Sequence, residues 1–194
     1  MTDPTRSLRA DARENREKLL RAAGRQFATA GPDVPLETIA RSASVGIGTL
    51  YRHFPTREAL IEAVYRNEVD RLCAAAGQLL STLPPDAALE QWMERFVTYA
   101  TTRRGLPGAL RSVAASQSDL FAATRERLLT AIGALLGAGA ATGRLRADVP
   151  ADDVLTAMNA VWSISAEGQQ WAIQARRVLA LLIDGLRVGA GSGG

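Results

Sequence analysis

Pro35-Leu36-Glu37-Thr38-Ile39-Ala40-Arg41-Ser42-Ala43-Ser44-Val45-Gly46-Ile47-Gly48-Thr49-Leu50-Tyr51-Arg52-His53-Phe54-Pro55-Thr56-Arg57 is the stretch that decides the fold. Its apolar positions fit two short helices crossing over a tight turn. Ile39, Ala40 and Ala43 face inward from the first, Val45 sits in the turn, and Leu50 and Phe54 face inward from the second. Ala40 is small enough to let two helices cross closely. Pro35 suits the first turn of the opening helix, where a missing N–H costs nothing, and Pro55 closes the second. The layout predicts a helix-turn-helix, a unit that lays its second helix in the DNA major groove.

A wheel of 100° per residue places Leu50 and Phe54 on the inner side of the second helix, Ile47 and Tyr51 at its margins, and Gly48, Thr49, Arg52 and His53 outward. The outward set is short, hydrogen-bonding or cationic, and Gly48 lets the backbone approach a phosphate. An ordinary helical hairpin with a solvated face would also accommodate this pattern. The turn spacing, the aromatic margin and Arg57 behind Thr56, a cation at a helix start, favour DNA instead. Arg57 is expected to anchor a phosphate.

At these residues the chain resembles the TetR/AcrR transcriptional regulators. The resemblance rests on Gly48-Thr49-Leu50-Tyr51-Arg52-His53-Phe54-Pro55-Thr56-Arg57-Glu58-Ala59-Leu60 and covers roughly residues 16–65. Beyond them it is looser, resting on length, helix count and Gly143-Arg144-Leu145-Arg146-Ala147-Asp148-Val149. It implies an all-helical homodimeric repressor released from DNA by a small ligand. It also implies DNA contact by Ile47, Gly48, Thr49, Tyr51 and His53, with Arg57 on phosphate; for Ile47 and Tyr51 the resemblance alone carries the assignment. Two positions depart from the pattern: Ser44 stands where the turn often has Gly, and Gly46 where a Ser or Thr cap is common.

Charge distribution agrees with this division. Of 23 Lys/Arg and 20 Asp/Glu, residues 1–57 hold ten and six, a balance of +4, leaving thirteen and fourteen, a balance of −1, for the other 137. A basic head on a near-neutral body is the footprint of a DNA-binding domain attached to something else. We therefore expect an N-terminal arm and DNA-binding domain over 1–57 and a ligand-binding and dimerisation domain over 58–194. The single cysteine, Cys73, excludes an internal disulfide, fits a reducing cytoplasm and reads as a small core residue. No run reaches the roughly 18 uninterrupted apolar residues of a membrane span, and the charged N-terminus is no secretory signal.

Periodicity predicts helices throughout and no β-period segment. Met1 to Asp11 reads as a flexible arm. Leu19, Leu20, Ala23 and Phe27 mark a helix over about 12–30, ended by Gly31-Pro32 and packed behind the helix-turn-helix. Thr56 to about Leu83 reads as one long helix linking the two domains. Further helices are expected over about 86–104, 109–116, from Asp119 to near Gly143, from Pro150 through Ile164, and over about 169–188, with a flexible tail from Gly189. Asp152 or Asp153 is expected to cap the helix from Pro150.

In the second domain Trp92, Phe96, Tyr99, Phe121 and Trp162, with Met158, come from three separate helices that could converge on an apolar small-molecule cavity. Plain core packing is the alternative for each. Ala157, Val161 and Ile164, with the Val178–Ile183 run, look too apolar to stay exposed. A twofold four-helix contact with a second copy would cover them; the alternative is that both helices are simply central to the monomer. Enzymatic constellations are lacking. His53 is the only histidine, so histidine triads and histidine metal sites fail, and Gly46-Ile47-Gly48 follows no strand. No cofactor is expected.

Overall fold

The structure, a computed structural model, describes residues 4–104, 106, 119–166 and 168–189. Among them stand eight α-helices, α1 Pro4–Ala30, α2 Leu36–Ser42, α3 Ile47–His53, α4 Arg57–Leu80, α5 Pro85–Arg104, α6 Asp119–Ala141, α7 Ala151–Met158 and α8 Gly168–Leu186; a 3-10 turn over Asn159–Ser163 continues α7. The chain is all-α, as its periodicity predicts. The helix expected over 109–116 and the tail beyond Gly189 lie outside the described residues. No described helix is long and apolar enough to cross a membrane.

Two compact units divide the described residues. The first runs to Glu68 and includes Thr101–Arg104 and Leu106. The second holds Val69–Ala100 and the described residues from Asp119 onward. The division between these units falls inside α4.

In the first unit α1, α2 and α3 pack on one another through the fully buried Leu19, Phe27, Ile39 and Leu50, with Ala40 and Phe54 almost as enclosed. α1 begins at Pro4, so most of the expected arm is helical. Proline is welcome in a first turn, and from there to Gly24 no glycine or second proline interrupts a run of good helix formers. Glu14 pairs with Lys18 at 2.8 Å, one turn apart, and that partner holds the Glu14 carboxyl below its usual pKa. At the other end Gly31 takes φ 80 and its N–H donates to the Phe27 carbonyl at 3.1 Å, a left-handed stop before Pro32.

The turn between α2 and α3 is a Schellman motif. Val45 N–H donates to the Ala40 carbonyl and Ser44 N–H to that of Arg41, both at 3.0 Å. Ser44 occupies the left-handed position, φ 55, the only non-glycine residue with positive φ among those described. A Cβ is strained there, so Ser44→Gly is expected to stabilise the unit by about 0.5–1 kcal/mol. Urea unfolding with unchanged slope checks this.

Caps differ slightly from expectation. Pro35 is the N-cap of α2 rather than its first residue. Thr56 caps α4 from outside, its Oγ1 accepting the Ala59 N–H at 3.1 Å, which satisfies one of the helix's orphan donors.

In the second unit α4 stops at Leu80, and a turn through Ser81 and Thr82 leads to Pro85 in the first turn of α5. Trp92 is fully buried and donates Nε1–H to the Leu72 carbonyl at 2.8 Å. Trp171, equally enclosed, donates to the Val161 carbonyl at 3.1 Å. α6 ends in another Schellman motif, with Gly143 at φ 67 and Arg144 N–H on the Gly139 carbonyl at 2.9 Å. The chain then pairs with the end of α8 in an isolated antiparallel bridge, Leu145 with Arg187. Arg146 N–H donates to the Leu186 carbonyl at 2.8 Å and Val188 N–H to that of Arg144 at 3.1 Å. This is the one β-like feature among the described residues, and two single residues are too short for a periodicity to reveal.

Three expectations for this unit are corrected. Neither Asp152 nor Asp153 caps α7, whose N-cap is Pro150 with no side-chain bond; Asp152 instead pairs with Arg125 of α6. The helix expected through Ile164 tightens to 3-10 geometry at Asn159 and ends at Ser163. Val161 and Ile164 are buried within the chain itself, whereas Ala157, Ala160, Ala180 and Leu181 are exposed, Leu181 by 74%. The apolar run in α8 is therefore two-faced: Leu179 and Ile183 turn inward and Leu181 outward.

Candidate nucleic-acid interface

α3 is seven residues long, too short to persist alone in water. It stands because Leu50 and Phe54 are sunk into the three-helix core and because the Gly46 carbonyl accepts the Thr49 and Leu50 N–H groups at 2.9 and 3.1 Å. Phe54, with non-helical φ −136 and ψ 88 before Pro55, ends it.

Ile47, Gly48, Tyr51 and Arg52 are exposed and Thr49 and His53 half-buried. The wheel put Thr49 and His53 outward and Ile47 and Tyr51 at the margins. The real helix turns its open face toward the second pair. A two-turn helix packed mainly on α1 and α2 leaves open a flank that a symmetrical wheel treats as an edge. Only five large apolar side chains are exposed among the described residues, and Ile47 (37%) and Tyr51 (46%) are two of them, one turn apart. Two bare apolar side chains beside a glycine and an arginine suit a surface that meets something else. The His53 ring lies against Phe54 with centroids 6.1 Å apart.

Arg57, expected on a phosphate, and two cations of α1 have partners within this unit. The Arg57 Nη1 donates to the carbonyls of Pro32 at 2.6 Å and Val34 at 2.8 Å, in the α1–α2 loop. Arg16 of α1 holds its guanidinium 5.5 Å from the centre of the Phe54 ring. Lys18 is paired with Glu14. Sequence reasoning missed both arginine contacts, since neither partner, a loop carbonyl or a ring face, carries a charge that would mark it.

The six candidates for a small-molecule site fall into two groups. Trp92, Phe96 and Tyr99 form a continuous aromatic row on α5, with centroids 6.4 Å and then 5.7 Å apart. All three, like Met158, are buried. Phe121 and Trp162 are half-buried, and Trp162 donates Nε1–H to the Asn159 Oδ1 at 3.1 Å within its own turn. Cys73 on α4 is half-buried, and burial raises its thiol pKa, which suits packing better than reactivity.

Residues 19–64 match the family model described as bacterial regulatory proteins, tetR family. Residues 84–188 match that described as transcriptional regulator SbtR-like, C-terminal domain. Among solved structures, the TetR transcriptional regulator SCO0520 from Streptomyces coelicolor is 48% identical, with TM-score 0.81, over 89% of this chain and 98% of that one. The TetR transcription regulatory protein from Mycobacterium vanbaalenii is 35% identical, with TM-score 0.72, over 93% and 99%. A curated relative, the HTH-type transcriptional regulator SAUSA300_2515 of Staphylococcus aureus (strain USA300), is 34% identical over 64 residues, 32% of this chain. The match spans 35% of that relative's length.

Proposed function

Because this chain belongs to the TetR family of bacterial DNA-binding transcriptional regulators, we propose that it is a cytoplasmic homodimeric repressor released from a palindromic operator by a small molecule. The observation that carries the DNA-reading half is the face of α3, where Ile47 and Tyr51 stand bare beside Gly48 and Arg52. In this reading Ile47, Gly48, Thr49, Tyr51, Arg52 and His53 meet the major groove. Two copies of α3 enter successive grooves about one helical turn apart.

The second copy covers Ala157, Ala160, Ala180 and Leu181, the apolar side chains that α7, its 3-10 extension and α8 leave outside. Leu181→Glu would set like charges near a twofold axis and is expected to weaken the dimer roughly tenfold or more. Sedimentation equilibrium reads that change.

The effector enters among Trp92, Phe96, Tyr99, Phe121, Met158 and Trp162. α4, which carries residues of both units, conveys the change to α3. A coupling of about 1–3 kcal/mol suffices, supplied by preferential binding to the state with low DNA affinity.

Selection of duplexes from a random-sequence pool by the pure protein, followed by sequencing, tests the reading. A recovered inverted repeat supports it, and a pool that stays random overturns it. A second reading also has an observation in its favour. Trp92, Phe96 and Met158 are as enclosed as any core residue and the Trp92 N–H is already satisfied, as in a purely structural dimerisation domain that answers to a protein partner or to none. Thermal shifts across a library of apolar compounds separate the two.

A further inference from the structure

We infer that Arg57 is a positioning residue that closes the helix-turn-helix on itself, and not a phosphate contact; this rests on the DNA-binding reading above. Its place in the chain supports the role. Pro32 and Val34 lie just before α2, and Arg57 is the first residue of α4, just after α3. One nitrogen, Nη1, spans the two ends through bonds of 2.6 and 2.8 Å, 25 and 23 residues away in sequence. Everything from Leu36 to His53 is bracketed by that one side chain.

The loop has few donors of its own. Pro32 and Pro35 have no N–H to offer, and the Gly31 N–H is spent on Phe27. The two N–H groups of a single guanidinium nitrogen satisfy two carbonyls at once, and bonds from a charged donor are the stronger kind. Arg57 is half-buried, whereas Arg52, on the face of α3, is exposed. The first turn of α4 is thereby fastened to the entry of α2. The α2–α3 pair then follows that turn as one body, which sets the angle at which Tyr51 and Thr49 are offered to a groove.

Two charge-distinct variants test this on a duplex recovered from the random pool and on a scrambled duplex of equal length. Arg57→Met keeps the apolar stem and removes the donors. It is expected to lose roughly tenfold on the selected duplex, the scale of one charge-assisted bond, and little on the scrambled one, with the salt slope unchanged. A slope lower by about one, with equal loss on both duplexes, would identify a phosphate contact and overturn the inference.

Arg57→Lys keeps the charge and enough donors, but its ammonium sits on a stem one bond shorter than the path to Nη1 and falls short of the two carbonyls. It should lose roughly threefold on the selected duplex alone, so affinity within experimental error of the parent overturns the inference even if the methionine variant fails to fold. Hydrogen exchange without DNA provides an independent reading. The amides of Thr38 and Ile39, which donate to the Pro35 carbonyl, should exchange faster in both variants, and unchanged protection would refute the clamp whatever the DNA result. A parent protein that selects no duplex, with those amides deprotected in the variants, would sink the DNA reading and leave the clamp standing.

Discussion

Tyr51→Ala and Thr49→Ala are each expected to strip the protein of operator preference while leaving its grip on arbitrary duplex almost intact. Neither side chain carries charge, so neither contributes to the counterion release that drives sequence-independent binding. Tyr51 is 46% exposed on α3 with its ring bare, free to lie against a thymine methyl or a sugar. Thr49, half-buried, presents a short hydroxyl and methyl that reach only a groove floor brought close by Gly48. Each lost base contact is worth about 1–3 kcal/mol, or roughly ten- to a hundredfold. In the proposed twofold assembly each contact is lost twice. Titration of selected and scrambled duplexes at one salt concentration measures the ratio; equal losses on both would show that α3 does not read sequence.

Trp92→Ala is the second large expected effect, a loss of about 3–5 kcal/mol in unfolding free energy. Trp92 has no exposed surface, stacks toward Phe96 and spends its N–H on the Leu72 carbonyl. Truncation removes those contacts and leaves a void that rigid helices close only in part. Set against a total stability of about 5–15 kcal/mol for an ordinary domain, that is a third or more of what holds the fold. Trp92→Phe, which keeps most of the volume and loses the donor, should cost about 1–2 kcal/mol. Denaturant unfolding decides between core and cavity. A loss under about 1 kcal/mol for the alanine variant would mean that the indole already faces empty space, as a ligand site requires.

The reading head was legible because its signals are local. Pro35, the crossing Ala40, the inward Leu50 and Phe54, and Pro55 each act on the backbone within a few residues, and together they allow one arrangement of α2 and α3. The departure noted at Ser44 proves to be a physical one: that residue takes the left-handed conformation glycine would adopt without strain. What escaped the sequence depends on contacts between residues far apart in the chain. Arg57 has the type and location of a phosphate anchor, and only the placement of Pro32 and Val34 reveals where its guanidinium goes. Val161 and Ile164 were assigned to a contact with a second copy because apolar patterning says that a face is covered without saying by what. Helix α1 ran further than expected because a polar stretch without an apolar stripe lacks the cue that periodicity supplies, yet its residues are individually content in a helix.

The stitch between the segment after α6 and the end of α8 bears on which substitutions this chain can absorb. Main-chain bonds are blind to side-chain identity, so Arg146 and Val188, which enter the stitch through their N–H groups, can vary widely, proline excepted. Gly139 has no such latitude: a methyl there would fall 2.3 Å from the Leu145 Cδ1, and Leu145 is itself enclosed. Mutational tolerance along this connector should therefore alternate between lenient and strict positions, in a pattern set by the backbone pairing and not by the loop's apparent polarity.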